Sequence, residues 1–77
     1  MKTLYDVQQL LKRFGTVIYV GKRIWDIELM DQEIKDLYEA RLIDVKTYRE
    51  ARVILAAEHH REKINSLNAH DLEEKFK

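Results

Sequence analysis

Proline is absent from this 77-residue chain, and its two glycines stand only six residues apart, at positions 15 and 21. Tight turns and bulges are built on such residues, so a turn-rich β fold is disfavoured and long unbroken helices are favoured. The glycines also divide the chain into a short first segment, a five-residue spacer and a long remainder.

Before Gly15 the apolar residues keep a helical period. Leu4, Val7, Leu10, Leu11 and Phe14 fall on one side at 100° per residue, and Lys2, Tyr5, Gln8, Gln9, Lys12 and Arg13 on the other. Thr3 is placed to cap this helix, Asp6 and the Lys12-Arg13 pair complement its dipole, and Gly15 suits the left-handed position that follows. The spacer Thr16 to Val20 is β-branched and aromatic, but a lone strand has no partner in so short a chain. It is expected to be an extended connection whose Val17, Ile18 and Val20 cap the core; the alternative is a strand that pairs with a second copy or an incoming peptide.

A second helix is expected from Arg23 or Ile24 to about Arg41, with Ile27, Met30, Ile34, Leu37 and Tyr38 inward. Trp25 and Leu29 point elsewhere and require the spacer as a cover; uncovered, they form an apolar binding patch. Asp44 is placed to cap a third helix whose inner stripe is Val45, Tyr48, Ala51 and Leu55, widened by Val53 and Ile54. That stripe degrades after Ala57. The reading is an all-α fold: a small three-helix bundle over residues 1–64 with an extended segment between helices one and two. Residues 65–77, with only Leu67, Leu72 and Phe76 as large apolar residues, are expected to be a polar tail, frayed or weakly helical.

The string Tyr5-Asp6-Val7-Gln8-Gln9-Leu10-Leu11 resembles the YqgQ-like family, as do Phe14-Gly15, Ile18-Tyr19, Asp26-Ile27-Glu28-Leu29-Met30 and Leu37-Tyr38. These are short bacterial proteins, mainly of Bacillus relatives and other Firmicutes, and the likeness covers about residues 3 to 58. The resemblance implies a three-helix bundle and, as a role proposed for the family, binding of single-stranded nucleic acid.

Charge sharpens that expectation. The chain carries 14 basic and 14 acidic side chains, so a protein basic all round is excluded. Yet Lys2, Lys12, Arg13, Lys22 and Arg23 oppose Asp6 alone over residues 1–25, a net +4. Tyr5, Tyr19 and Trp25 are interleaved with them. Cations that track phosphates and rings on which bases stack are what single-stranded DNA or RNA requires. These eight residues are the candidate nucleic-acid-binding site; the plainer alternative is ordinary solvated surface with Trp25 in the core. Within residues 26–39 the second helix carries Asp26, Glu28, Asp31, Glu33, Asp36 and Glu39 against Lys35 alone, which reads as a solvated, self-repelling face or a dock for a basic partner. Together with Trp25 and Leu29 it supports a second hypothesis, a protein partner or self-association.

Other chemistry finds little footing. No cysteine is present, so no disulfide or thiolate zinc site forms, and Ser66 lies in the tail without a nucleophile elbow. In the group Glu58, His59, His60, Glu62 and His70, the adjacent His59 and His60 point about 100° apart, so one helix cannot aim both at one ion; the histidines read as exposed and no metal is expected. No phosphate-binding glycine loop occurs, and a chain this short has little room for an active-site pocket. The longest apolar run, Val17 to Val20, cannot cross a membrane, and no secretory leader is read at Met1. A cytoplasmic, cofactor-free, non-enzymatic binding module is the expectation.

Overall fold

The computed structural model describes the backbone of residues 1–75 and the side chains of residues 1–65. Three helices follow one another: α1 (Leu4–Arg13), α2 (Arg23–Glu39) and α3 (Val45–Lys75). They form the expected all-α three-helix bundle, with α2 packed chiefly against α3.

The helix ends follow local chemistry. Thr3 and Asp6 make a reciprocal capping box: Thr3 Oγ1 accepts from the Asp6 N–H, and Asp6 Oδ2 accepts from the N–H groups of Thr3 and Lys2 at 3.0 and 2.8 Å. At the other end, Gly15 N–H donates to the Lys12 carbonyl and Thr16 N–H to the Leu11 carbonyl, both at 3.0 Å, with Gly15 at φ 82°. This is a Schellman termination, and glycine occupies its left-handed position. α2 ends the same way, through Arg41 N–H to Tyr38 and Leu42 N–H to Leu37 at 2.9 Å, but Arg41 holds that position at φ 62°. Asp44 caps α3, its Oδ1 accepting from the Thr47 N–H at 2.7 Å.

The core is small. Val7, Leu10 and Leu11 of α1 meet Ile27, Met30, Ile34 and Leu37 of α2 and Ala51 and Leu55 of α3. Leu4, Ile18, Ile43, Tyr48 and Ile54 close its edges. Tyr38 and Tyr48 stack at 4.1 Å between ring centres where α2 and α3 meet.

Several expected core residues lie outside it. Val53 is exposed because it sits two residues from both Ala51 and Leu55, about 200° round the helix from each. Phe14 is the α1 C-cap and Val45 opens α3, so both lie where a helix stripe ends, and both are exposed. Of the spacer, only Ile18 packs inward; Val17 and Val20 face solvent. The spacer leaves Trp25 and Leu29 54% and 46% exposed: it lies beside Met30 and is held at Asp26 and Glu33, on the flank next to them. Thr16 Oγ1 donates to Glu33 Oε1 at 3.3 Å, and Val20 N–H donates to Asp26 Oδ1 at 2.7 Å. Positions 26 and 33 lie roughly 10 Å apart on a helix rising 1.5 Å per residue. The spacer starts beside Glu33 and ends beside Asp26, so it runs antiparallel to α2. The helical backbone continues beyond residue 64 to Lys75, where the apolar stripe has ended.

Two outcomes are expected. Arg41→Gly removes a left-handed strain that only glycine escapes, offset in part by glycine's extra freedom when unfolded. It should stabilise the fold by up to about 1 kcal/mol, a Tm rise of up to roughly 4–8 °C in a thermal melt. The carboxyls of Asp6 and Asp44 are held below their ordinary range chiefly by the backbone N–H groups of Lys2 and Thr47 respectively. A depressed folded pKa gives stability that is complete above the unfolded value of about 3.9 and lost as pH falls through the folded value. Acid denaturation followed by circular dichroism should therefore flatten in a D6N/D44N double variant.

Candidate nucleic-acid interface

The spacer and the first turn of α2 build the most concentrated part of the candidate surface. Asp26, on the first turn of α2, is the one buried charged side chain among the described residues. Its carboxylate takes the Val20 N–H and so fixes the end of the spacer. Gly21, at φ 95°, then turns the chain into the helix at Lys22. The result displays Tyr19, which is 84% exposed, next to Lys22, and places Lys22 Nζ 4.9 Å from the ring centre of Trp25. Trp25 is 54% exposed, so one ring is partly cation-covered and still open to solvent.

The basic residues of α1 do not join that unit as a single patch. Tyr5 stands out from the helix at 64% exposure. Lys12 borders a depression of about 240 Å³ between α1 and the spacer, shared with Gln8, Thr16, Val17 and Met30. Lys2 and Arg13 border a different one, beside Thr47 and Glu50 of α3. The helix therefore parts its cations between two flanks.

Arg23 is engaged within the bundle as well as half-exposed. Its guanidinium lies 3.3 Å from Glu58 Oε2 and 3.6 Å from Glu62 Oε2, both on α3, while its side chain stays 55% exposed. It links α2 to α3. The acidic face of α2 is corrected. Asp26 and Glu33 hold the spacer, Asp31 Oδ1 meets Arg52 Nε at 2.6 Å, and Glu28 Oε1 meets His59 Nε2 at 2.9 Å. Lys35 adds a contact to Asp31, and Gln32 donates to Asp36. Most of these carboxylates are engaged within the bundle rather than repelling one another in solvent.

His59 is thus half-buried and bridges α2 and α3, where the sequence read it as exposed. The His70 side chain lies outside the described residues. His59, His60, Lys35, Arg52, Lys63, Glu28 and Asp31 border an open cleft of about 440 Å³ over Ile27 and Leu55. Among the described residues no group of three or more His, Cys, Asp or Glu side chains is placed to hold a metal ion. No helix among them is long and apolar enough to cross a membrane.

Nothing in the sequence distinguishes Asp26 from its acidic neighbours except its place in the first helical turn after the spacer. That place puts a negative charge near the helix N-terminus and within reach of the preceding backbone.

Comparison with known proteins agrees with the resemblance read from the residues. A family model described as YqgQ-like matches residues 1–61. A protein of Bacillus subtilis (strain 168) named "Uncharacterized protein YqgQ" is 45% identical over 58 residues, covering 75% of this chain and 82% of that relative.

Asp26→Ala should leave the Val20 N–H without its partner. The expected cost is about 1–3 kcal/mol in denaturant unfolding, with faster hydrogen exchange at the Val20 amide. Unchanged exchange at Val20 would contradict the anchoring role.

Proposed function

This chain belongs to the YqgQ-like family, and we propose that it is a non-enzymatic binding module for single-stranded DNA or RNA. Tyr19, Lys22 and Trp25 form the centre of the contact, and Tyr5 with Lys12 extends it. The supporting observation is the exposure of all three rings, one of them paired with a lysine. An exposed aromatic face beside a cation suits a stacked base joined to its phosphate, and a stack of this kind is worth about 1–3 kcal/mol. Lys2 and Arg13 lie on the other flank of α1 and serve a strand only where it wraps that helix. Arg23 serves by fixing α2 against α3.

A second reading is favoured by one observation. Leu29 is 46% exposed and uncovered, one helical turn from Trp25, and such a pair suits an apolar anchor for a protein partner. The acidic face gives this reading less support than the sequence offered, since its carboxylates are largely engaged within the bundle.

Titration of labelled oligonucleotides at two salt concentrations separates the two. Two to four neutralised phosphates give a log–log salt slope of about −1.4 to −2.8. Tyr19→Ala and Trp25→Ala should each weaken binding by roughly 5- to 150-fold, and Lys22→Ala should make the slope shallower by about 0.7. Arg23→Ala should lower thermal stability more than affinity. Absence of binding at low salt would remove the nucleic-acid reading and leave the apolar anchor.

A further inference from the structure

The spacer carries one engaged edge and one open edge. In an extended chain the N–H and C=O of one residue point to the same side, and those of the next residue to the opposite side. Thr16 N–H is taken by the Leu11 carbonyl and Val20 N–H by Asp26, so both ends of the edge carrying residues 16, 18 and 20 are turned toward the chain's own helices, with the Ile18 backbone between them. The opposite edge carries Val17 and Tyr19. Among the described residues, their backbone groups have no hydrogen-bond partner. Val17 and Tyr19 side chains are 78% and 84% exposed, while Ile18 between them packs on the core. The segment has a strand's β-branched and aromatic composition, and Val17, Ile18 and Tyr19 alternate out, in and out as they would in a strand awaiting a neighbour.

We propose that this neighbour is the same segment of a second copy, paired antiparallel about a two-fold axis through Ile18. The register follows from the sequence. Centred on Ile18, Val17 faces Tyr19 of the other copy and Thr16 faces Val20, while Gly15 faces Gly21. The open edges then meet: Val17 and Tyr19 form the hydrogen-bonded pairs, and the four N–H and four C=O groups of the two edges make four mutual bonds. Val17 opposite Tyr19 is a β-branched–aromatic pair, among the favourable cross-strand contacts. The ladder ends symmetrically at the two glycines, both at positive φ, where each chain turns away into its helices. No charged side chain lies between those glycines to oppose its counterpart. Two strands alone are marginal, but here each is backed by its own bundle through Ile18. The pairing uses backbone groups and leaves both Tyr19 rings on one outer face. It stands independently of the nucleic-acid reading.

Sedimentation equilibrium of the full chain from about 10 μM to about 1 mM should show a monomer–dimer equilibrium. Over that range, NMR hydrogen exchange at the Val17 and Tyr19 amides should slow by about tenfold or more. Val17→Pro removes one ladder donor from each copy, at a position where a preceding extended residue is tolerated. It should weaken dimerisation by about tenfold or more with the helical circular dichroism retained. A monomer throughout the range overturns the proposal. So does a dimer in which those two amides exchange as fast as in the monomer, since the copies would then meet elsewhere. The exchange measurement is made on the unsubstituted chain and decides the question even where Val17→Pro fails to fold.

Discussion

Burial of one helical stripe, Ile27, Met30, Ile34 and Leu37, is the interaction on which the rest of this structure depends. Each such side chain contributes roughly 1.5–3 kcal/mol when removed from water, and the chain has few others to bury. That stripe draws α1 and α3 onto α2 and so fixes what the other sides of α2 can meet. Asp26 and Glu33 hold the spacer, while Arg23, Glu28 and Asp31 reach α3. What remains is the side that bears Trp25 and Leu29, and no element among the described residues covers it.

The polar contacts around that stripe differ in weight. The pairs of Arg23, Asp31 and Glu28 with α3 are partly exposed, and such pairs contribute on the order of 0–1 kcal/mol each. They orient α3 more than they stabilise it. The Asp26 bond to Val20 is part-buried and its carboxylate is buried, so the charged acceptor strengthens the hydrogen bond and a lost partner costs more than at the surface. A single carboxylate therefore ties the spacer, and with it Tyr19, to the core-forming helix.

Legibility in the sequence divides along the range of the interactions. α1, the Thr3 and Asp44 caps and the Gly15 termination are local, and local patterns state them; the end of α2 at Glu39, with left-handed Arg41 just beyond, and the run of α3 to Lys75 are not stated that way. The stripes of α1 and α2 are periodic and were equally plain. Val53 misleads because its hydrophobicity and its angle disagree: its 100° steps place it opposite Ala51 and Leu55. Val17 and Val20 mislead because β-branched residues suit a core whether or not a partner exists. The roles of Arg23, Asp26 and His59 depend on partners 35, 6 and 31 residues away, and no periodicity within one helix encodes those meetings. The exposure of Tyr5, Tyr19 and Trp25 was open in the sequence and is decided only by the packing.

The same packing changes what a neutral chain can present. Sequence charge places +4 in the first third and an acidic block immediately after it, an arrangement that would cancel at the surface if both were free. Folding does not leave them equally free. The carboxylates of α2 are turned to the spacer and to α3, and among the cations Arg23 is drawn in with them. Lys22 stays outward, held over Trp25 by attraction to the ring rather than by a carboxylate. A lysine held over a ring still carries its full charge and still has donors for an oxyanion, whereas a lysine in an ion pair must first give up its partner. The bundle thus leaves, by sorting its pairs, a lysine set over a half-exposed aromatic ring on a protein whose total charge is zero.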